Sequence, residues 1–380
     1  MDKKIIDLIE SKNAEYMSFL EDVVSIESPT EYKKGVDEVG AYFIKKAQEK
    51  KWDIEINKQE VSGDVACITM NSSSNKQPIV LSAHIDTVFP LGSFTPLIRY
   101  EGDRLYGPGT RDCKGGVVAG FYAMDILEQI GYIDRPIMLI LQSDEETNSV
   151  GSNKATINYM IEKSKNAVAF LNLEGCRPGF VVTARKGINT YLFKVYGKAA
   201  HAAECEKGAS AILEASHKII ELEKIKGEGA ITSSCGLIKG GTAKNTVPDY
   251  CEFTAEFRYI TDEEKERIEK IVEKVSNTCF VKGCSCKVEI IGNRCSMPLE
   301  KRNLDLLEKI NNALKKSDMP ILDHYLDFGG SDAADITRAG IPCLDELGLT
   351  GGPVHVLDEY IYTNSLFECV KKLVAIIPNL

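Results

Sequence analysis

Apolar residues recur along this chain with two rhythms, and the change from one to the other divides it. Between residues 3 and 27 they fall at Ile5, Ile6, Leu8, Ile9, Met17, Leu20, Val23 and Val24, the spacing of a helix with one buried face. Residues 78–85, 136–142 and 167–173 are instead short continuous apolar runs that stop at polar residues. Such runs predict strands buried on both faces, as in a sheet covered by helices. Residues 115–130 and 154–163 read as helices between them, and the alternation predicts an α/β fold.

After Lys186 the rhythm changes. Residues 188–196 (INTYLFKVY) alternate like a half-buried strand, and 210–226 follow as an amphipathic helix. Two strands are expected at 231–238 and 251–259, then a highly charged helix at 262–276 and a strand at 279–291. The order β-α-β-β-α-β is ferredoxin-like, and such a unit buries one sheet face under two helices. From about 297 the first rhythm returns, with 303–316 helical and a last helix near the C-terminus. The expected organisation is therefore a discontinuous α/β domain, 1–186 and 297–380, interrupted by an inserted α+β domain at 187–296.

The bulk numbers narrow the function. At 380 residues the chain is long for a single core, and 43% hydrophobic with 27% charged residues is ordinary globular composition. A formal charge of -10 argues against nucleic acid as a partner, which needs a basic surface. No apolar run approaches the roughly 20 residues of a membrane helix. The start, MDKKIIDLIESKNAEY, lacks the apolar stretch and cleavage site of a signal peptide, so a cytoplasmic location is expected. Twelve cysteines are scattered rather than paired at metal-finger spacing, and even Cys284-Ser285-Cys286 reads as two thiols on one side of a strand.

The polar residues that need explaining sit where the buried runs end. His84 and Asp86 follow VLSA as His-x-Asp, Glu145 and Glu146 follow LILQSD, and Glu174 follows AVAFLNL. Asp112 lies in the Gly-rich loop YGPGTRDCKGG and His355 in TGGPVH. Each alone has a plain reading, since a strand-end carboxylate usually caps a helix or faces water. Their coincidence at the carboxyl ends of strands, where open α/β sheets place their sites, points to a metal centre. Mixed histidine and carboxylate ligands suit zinc, with cobalt or manganese also accepted. Three carboxylates, Asp112, Glu146 and Glu174, against four positive charges favour two ions and a bound hydroxide. Two ions sharing a carboxylate would sit ~3.5–4 Å apart and acidify water between them. A further carboxylate must then carry the proton, and the adjacent pair Glu145-Glu146 offers one.

The ordered set HIDTV, GPGTRDCKGG, SDEET, LNLEG, GKAAHAAE and GGSDAAD followed by GGPVH resembles the M20 metallopeptidases, most of all their glutamate carboxypeptidase branch. The resemblance covers nearly the whole chain and implies a zinc-exopeptidase-like catalytic domain, a mixed central sheet flanked by helices, with an inserted lid and dimerisation domain. It implies that Asp112 bridges two zinc ions, that Glu146 and His355 complete one site, and that His84 and Glu174 complete the other. Glu145 would be the general base and Asp86 would orient His84. The peptide after Asp112 is expected to be cis. His201 would reach across a homodimer built through 187–296 to the oxyanion, with a plain surface histidine as the less favoured alternative. Asn245, Arg258 and Arg294 match positions near substrate, with Arg294 the preferred anchor for a substrate carboxylate, and Arg258 equally readable as a strand-surface or interface residue. Gly329, Gly330 and Ser331 resemble the loop beside that carboxylate.

One stretch departs from the family pattern. The lid loop, HxGxxP in many relatives, reads HAAECEKGASA here, which leaves its geometry and the substrate preference open. The implied reaction is cleavage of an amide next to a free carboxylate, the substrate a small peptide or N-acyl amino acid. A carboxypeptidase, an N-acyl-amino-acid deacylase, a di- or tripeptidase and a desuccinylase share these ligands. A non-catalytic binding protein on the same fold is disfavoured, because base and ligands are all present. Nucleotide binding is set aside, since the chain has neither G-x-G-x-x-G at YGPGTRD nor a phosphate loop.

Overall fold

The computed structural model describes residues 1–380, which gather into two compact units. The first comprises Met1–Ala184, Leu299–Leu326 and Ser331–Leu380. Its centre is a six-stranded sheet in the order Asp53–Asn57, Val65–Met70, Ile137–Gln142, Ile79–His84, Ala169–Asn172 and Cys343–Leu344. The first two strands run antiparallel to their neighbours and the remaining pairs are parallel, so the sheet is mixed. All six residues of Ile79–His84 are buried, the reason that run is apolar without alternation. Helices Lys3–Val24, Lys33–Lys50, Lys114–Gln129, Lys301–Lys316 and Asn364–Ile376 share one hydrophobic core with the strands.

Ile79–His84, Ile137–Gln142 and Ala169–Asn172 run in the same direction, with His84 level with Gln142 and Ser82 level with Asn172. Their carboxyl ends therefore leave the sheet along one edge. A separate three-stranded sheet pairs Arg104–Tyr106 with Arg99–Glu101 on one side and Tyr360–Tyr362 on the other. It delivers two loops, 107–112 and 350–359, whose chain positions are far apart.

The second unit, Arg185–Pro298 with Asp327–Gly330, holds a four-stranded antiparallel sheet. The order across it is Thr232–Gly240, Tyr250–Tyr259, Gly187–Tyr196 and Ser285–Arg294. Gly187–Tyr196 alternates between buried and part-buried residues, the source of the period-two pattern. Helices Ala211–Glu223 and Asp262–Asn277 supply the other half of its core. Thr261 and Glu264 form a reciprocal capping box at the start of the second helix.

Several elements differ from the sequence reading. The strand expected at 279–291 begins only at Ser285, because Phe280 and Val281 give their backbone N–H groups to the buried carboxylate of Glu214 rather than to a ladder. The first helix stops at Val24 rather than at 27. Helix Lys33–Lys50 has no sequence signal of comparable strength, because half of its buried face is Gly35, Gly40 and Ala47.

Candidate metal centre

The parallel strand ends bring the predicted residues together. His84 closes its strand, Asp86 lies two residues on, Glu145 and Glu146 follow Ile137–Gln142, and Glu174 follows Ala169–Asn172. Asp112 arrives on the 107–112 loop and His355 on the 350–359 loop. The glycines of DCKGG have a physical reason at this point. A Cβ on Gly115 would lie 2.1 Å from the Thr110 carbonyl oxygen, and one on Gly116 would lie 2.0 Å from that of Leu173. The helix can begin directly after Asp112 only because both positions lack a side chain.

Asp112 faces two histidines with two oxygens. Its Oδ1 is 3.1 Å from His84 Nε2, and its Oδ2 is 3.0 Å from His355 Nε2. Glu174 Oε1 lies 3.7 Å from His84 Nε2, and Glu146 Oε2 lies 3.2 Å from His355 Nε2. Two donor sets result, His84 with Glu174 and His355 with Glu146, and Asp112 belongs to both. Donors about 2.0–2.2 Å from a tetrahedral zinc ion stand roughly 3.3–3.6 Å apart. The observed separations bracket that range, and His84, Asp112 and Glu146 place donor atoms within 4.8 Å of one another. The residues present fit a pair of divalent cations.

The electrostatics agree with that fit. Burial pushes Glu146 up to about 7, against the hydrogen bond from His355. Burial also pushes the Glu174 carboxyl well above the usual carboxylate range. Asp112 is raised by burial too, but the two imidazoles bonded to it outweigh this and hold it below its ordinary value. Asp112 and Glu146 in turn push half-exposed His355 up to about 10. His84 pays the larger penalty of burial, yet Glu174 and its neighbours raise it well above its ordinary value. Carboxylates packed this closely call for positive charge.

Asp86 is fully buried. Its Oδ1 accepts the backbone N–H of Glu145 and its Oδ2 that of Glu146, both at 3.2 Å, and Thr30 donates to Oδ2 at 2.7 Å. Glu145 is itself buried beside Glu146. The peptide Asp112-Cys113 is cis, as expected. His355 sits at φ +59°, in the left-handed region that a non-glycine residue occupies at a cost of about 1–3 kcal/mol.

Other residues of the centre carry no sequence signal strong enough to find them. The Cys113 thiol is buried, donates to the Leu173 carbonyl at 3.3 Å, and lies within 4.8 Å of donor atoms of His84 and Glu174. Glu359 is fully buried and accepts from the backbone of Arg111 and Asp112 at 2.9 and 3.1 Å. Burial pushes its carboxyl up to about 8. The Arg111 guanidinium bonds to the carbonyls of Gly352 and Cys176. All three read as ordinary loop residues until the chain is folded.

In the second unit, Ala200-His201 pairs with Thr246-Val247, and Asn245 accepts the Ala202 N–H on its carbonyl at 2.9 Å. His201 and Asn245 are thus on adjoining segments. The exposed His201 ring accepts the Ala203 N–H on Nδ1 at 3.1 Å, which leaves Nε2 as the donor of the neutral ring. Arg258 and Arg294 both lie opposite Ile188, one on each neighbouring strand. Arg258 donates to the Phe328 carbonyl at 2.6 Å, and Arg185, unmarked by the sequence, pairs with Asp327 at 2.9 Å. Three arginines therefore surround the segment that carries Gly329 and Gly330. Ser331 belongs to the first unit, where its hydroxyl accepts from Asn172 at 3.1 Å and from the Ala333 N–H at 3.2 Å.

Comparison with known proteins agrees with this architecture. The chain is 26% identical over 344 residues to Carboxypeptidase G2 of Pseudomonas sp. (strain RS-16), covering 88% of this chain and 82% of that one. It is 29% identical over 226 residues to the acetylornithine deacetylase of Myxococcus xanthus, covering 56% and 57% of the two chains. Among solved structures, aminopeptidase PepT from Bacillus cereus ATCC 10987 shares the fold with a TM-score of 0.78 at 22% identity, over 97% of this chain and 98% of that one. Residues 80–379 match the sequence profile of peptidase family M20/M25/M40. With that match over most of its length, the chain belongs to this family of metallopeptidases and related metallohydrolases.

Proposed function

We propose that this metallohydrolase uses two zinc ions, with cobalt or manganese as substitutes, to cleave an amide bond next to a free carboxylate. The most specific form of the proposal is a carboxypeptidase that releases a C-terminal amino acid such as glutamate. The observation that carries it is Asp112 facing His84 with one oxygen and His355 with the other. His84, Glu174 and Asp112 would hold one cation, and His355, Glu146 and Asp112 the other. When bound, the pair supplies Lewis-acid charge and acidifies water.

The chain's own residues do the rest. Asp86 orients His84 and fixes the backbone of Glu145 and Glu146. Glu145 takes the proton of the attacking water and returns it to the leaving nitrogen. His201 donates from Nε2 to the developing oxyanion, a role its tautomer allows. Arg294, with Asn245, Arg258 and the segment Gly329-Gly330-Ser331, holds the substrate carboxylate. Residues 187–296 serve as lid and homodimer interface, and the substrate is a small peptide or N-acyl amino acid.

A second reading keeps the chemistry and changes the acyl group: an N-acyl-amino-acid deacylase, a di- or tripeptidase, or a desuccinylase. The comparable likeness to the deacetylase supports it. The test is a panel of dipeptides, N-acyl-amino acids and folate-like glutamates, each with a free and an amidated carboxylate, run with zinc or cobalt. Hydrolysis confined to the free acids is expected, and no turnover of any member would end the proposal. Glu145→Ala is expected to keep its metal and lose about 10²- to 10⁴-fold in kcat. His201→Ala is expected to lose most activity with metal content unchanged.

A further inference from the structure

We propose that Glu359 is the positioning residue of the metal centre, holding the main chain at Arg111 and Asp112 so that the two Asp112 oxygens face different histidines. This rests on the two-cation reading above and deepens it.

Glu359 Oε1 accepts from three successive residues: the Thr110 hydroxyl at 3.5 Å, the Arg111 N–H at 2.9 Å and the Asp112 N–H at 3.1 Å. Two consecutive backbone donors aimed one way cannot both be served by their own loop, so an outside acceptor is required. The residue is fully buried, and its Oε2 is a buried oxygen without a hydrogen-bond partner. A buried carboxylate is costly, and the unpartnered Oε2 recovers none of that cost. What Glu359 adds is placement. It lies four residues beyond His355, its carbonyl accepts the Gly107 N–H at 3.2 Å, and its own N–H binds the Val356 carbonyl at 3.1 Å. One residue thus joins the loop of the shared carboxylate to the loop of the second histidine. Arg111 extends the tie, because its guanidinium reaches the carbonyls of Gly352 and Cys176, the latter two residues past Glu174. Three donor-bearing loops are thereby registered to one another through side-chain bonds to main-chain groups.

The test uses the full chain, stripped of metal and titrated with Co(II), with affinity and spin coupling between the two ions as readouts. Wild type is expected to bind two ions per chain and to show coupling. If it binds fewer than two, the two-cation reading fails, and the proposal with it, whatever the variants do. Given two coupled ions in wild type, Glu359→Ala is expected to weaken the second ion about 10- to 100-fold and to lose the coupling. Glu359→Asp, which keeps the carboxyl group but draws the oxygen back by one methylene, is expected to do the same. Glu359→Gln keeps the accepting oxygen and is expected to retain coupling and wild-type affinity within about threefold. A merely structural residue would lower the melting temperature of all three and leave coupling intact in the folded molecules. Undiminished coupling in the Asp variant overturns the proposal, as does a Gln variant as damaged as Ala. Should Ala fail to fold, the contrast between Asp and Gln decides alone.

Discussion

Asp86 holds His84 at Nδ1, with its main-chain oxygen 3.0 Å and its carboxylate 3.4 Å from that nitrogen. The opposite nitrogen is thereby turned toward Asp112. Because the same carboxylate also receives the N–H groups of Glu145 and Glu146, Asp86→Ala should disturb the proposed metal ligand and the proposed base together. We expect a loss of about 10- to 100-fold in metal affinity and a comparable or larger loss in kcat. Competitive chelator titration and initial rates check this, and wild-type affinity in the variant would refute the orienting role.

The metal-free protein should lose stability as pH rises. In the folded chain His355 is raised from 6.5 to about 10, and Glu146 from 4.5 to about 7. Each therefore keeps a proton that the unfolded chain releases. The stability this contributes is fully present below the unfolded value and disappears as pH passes the folded one. Asp112, held low, acts oppositely and only in acid. Bound cations replace those protons, so metal binding strengthens over the same interval. The gap in Tm between zinc-loaded and chelator-treated protein should widen from about pH 5 to about pH 10. A constant gap would contradict the assignment.

Gly330 and Arg294 should be functionally inseparable. A Cβ on Gly330 would lie 2.2 Å from Arg294 Cδ, so Gly330→Ala must displace the guanidinium. The expected result is a KM raised about 10- to 100-fold with kcat little changed, matching Arg294→Ala. The double variant should be no worse than Arg294→Ala. An unaltered KM in Gly330→Ala would show that this arginine does not hold the substrate.

Lys218 predicts stability rather than activity. It is fully buried, pairs with Glu214 at 3.0 Å, and donates to the Val275 and Thr278 carbonyls at 2.7 and 2.6 Å. Lys218→Met leaves Glu214 buried without its cation and should cost about 3–5 kcal/mol in denaturant unfolding of the second unit. Adding Glu214→Gln should recover part of that loss. A single variant as stable as wild type would mean that the pair is dispensable.

The sequence marked the cluster because its candidate ligands stand at the ends of apolar runs. VLSA before His84 and AVAFLNL before Glu174 mark both the strand and the point where the chain leaves it. It did not disclose what supports those ligands. Glu359 follows no periodic element, and its purpose appears only when the 107–112 loop lies against it. Helix Lys33–Lys50 was equally hidden, since small residues pack closely without producing an apolar stripe. Arg185 escaped notice for another reason: its partner Asp327 is distant in sequence and joins it only through the fold. Local pattern reports strands and their ends, while long-range polar pairing leaves no local trace.

The pairing of Tyr360–Tyr362 with Arg104–Tyr106 sets an order of events during synthesis. His84, Asp112, Glu146 and Glu174 all leave the ribosome well before the segment that bears His355. Until that last stretch emerges and docks, the chain has one histidine for two donor sets and no Glu359 behind Asp112. On the two-cation reading, both donor sets are therefore complete only at the end of synthesis, and a polypeptide cut short before Val354 would lack His355 together with the core helix Asn364–Ile376.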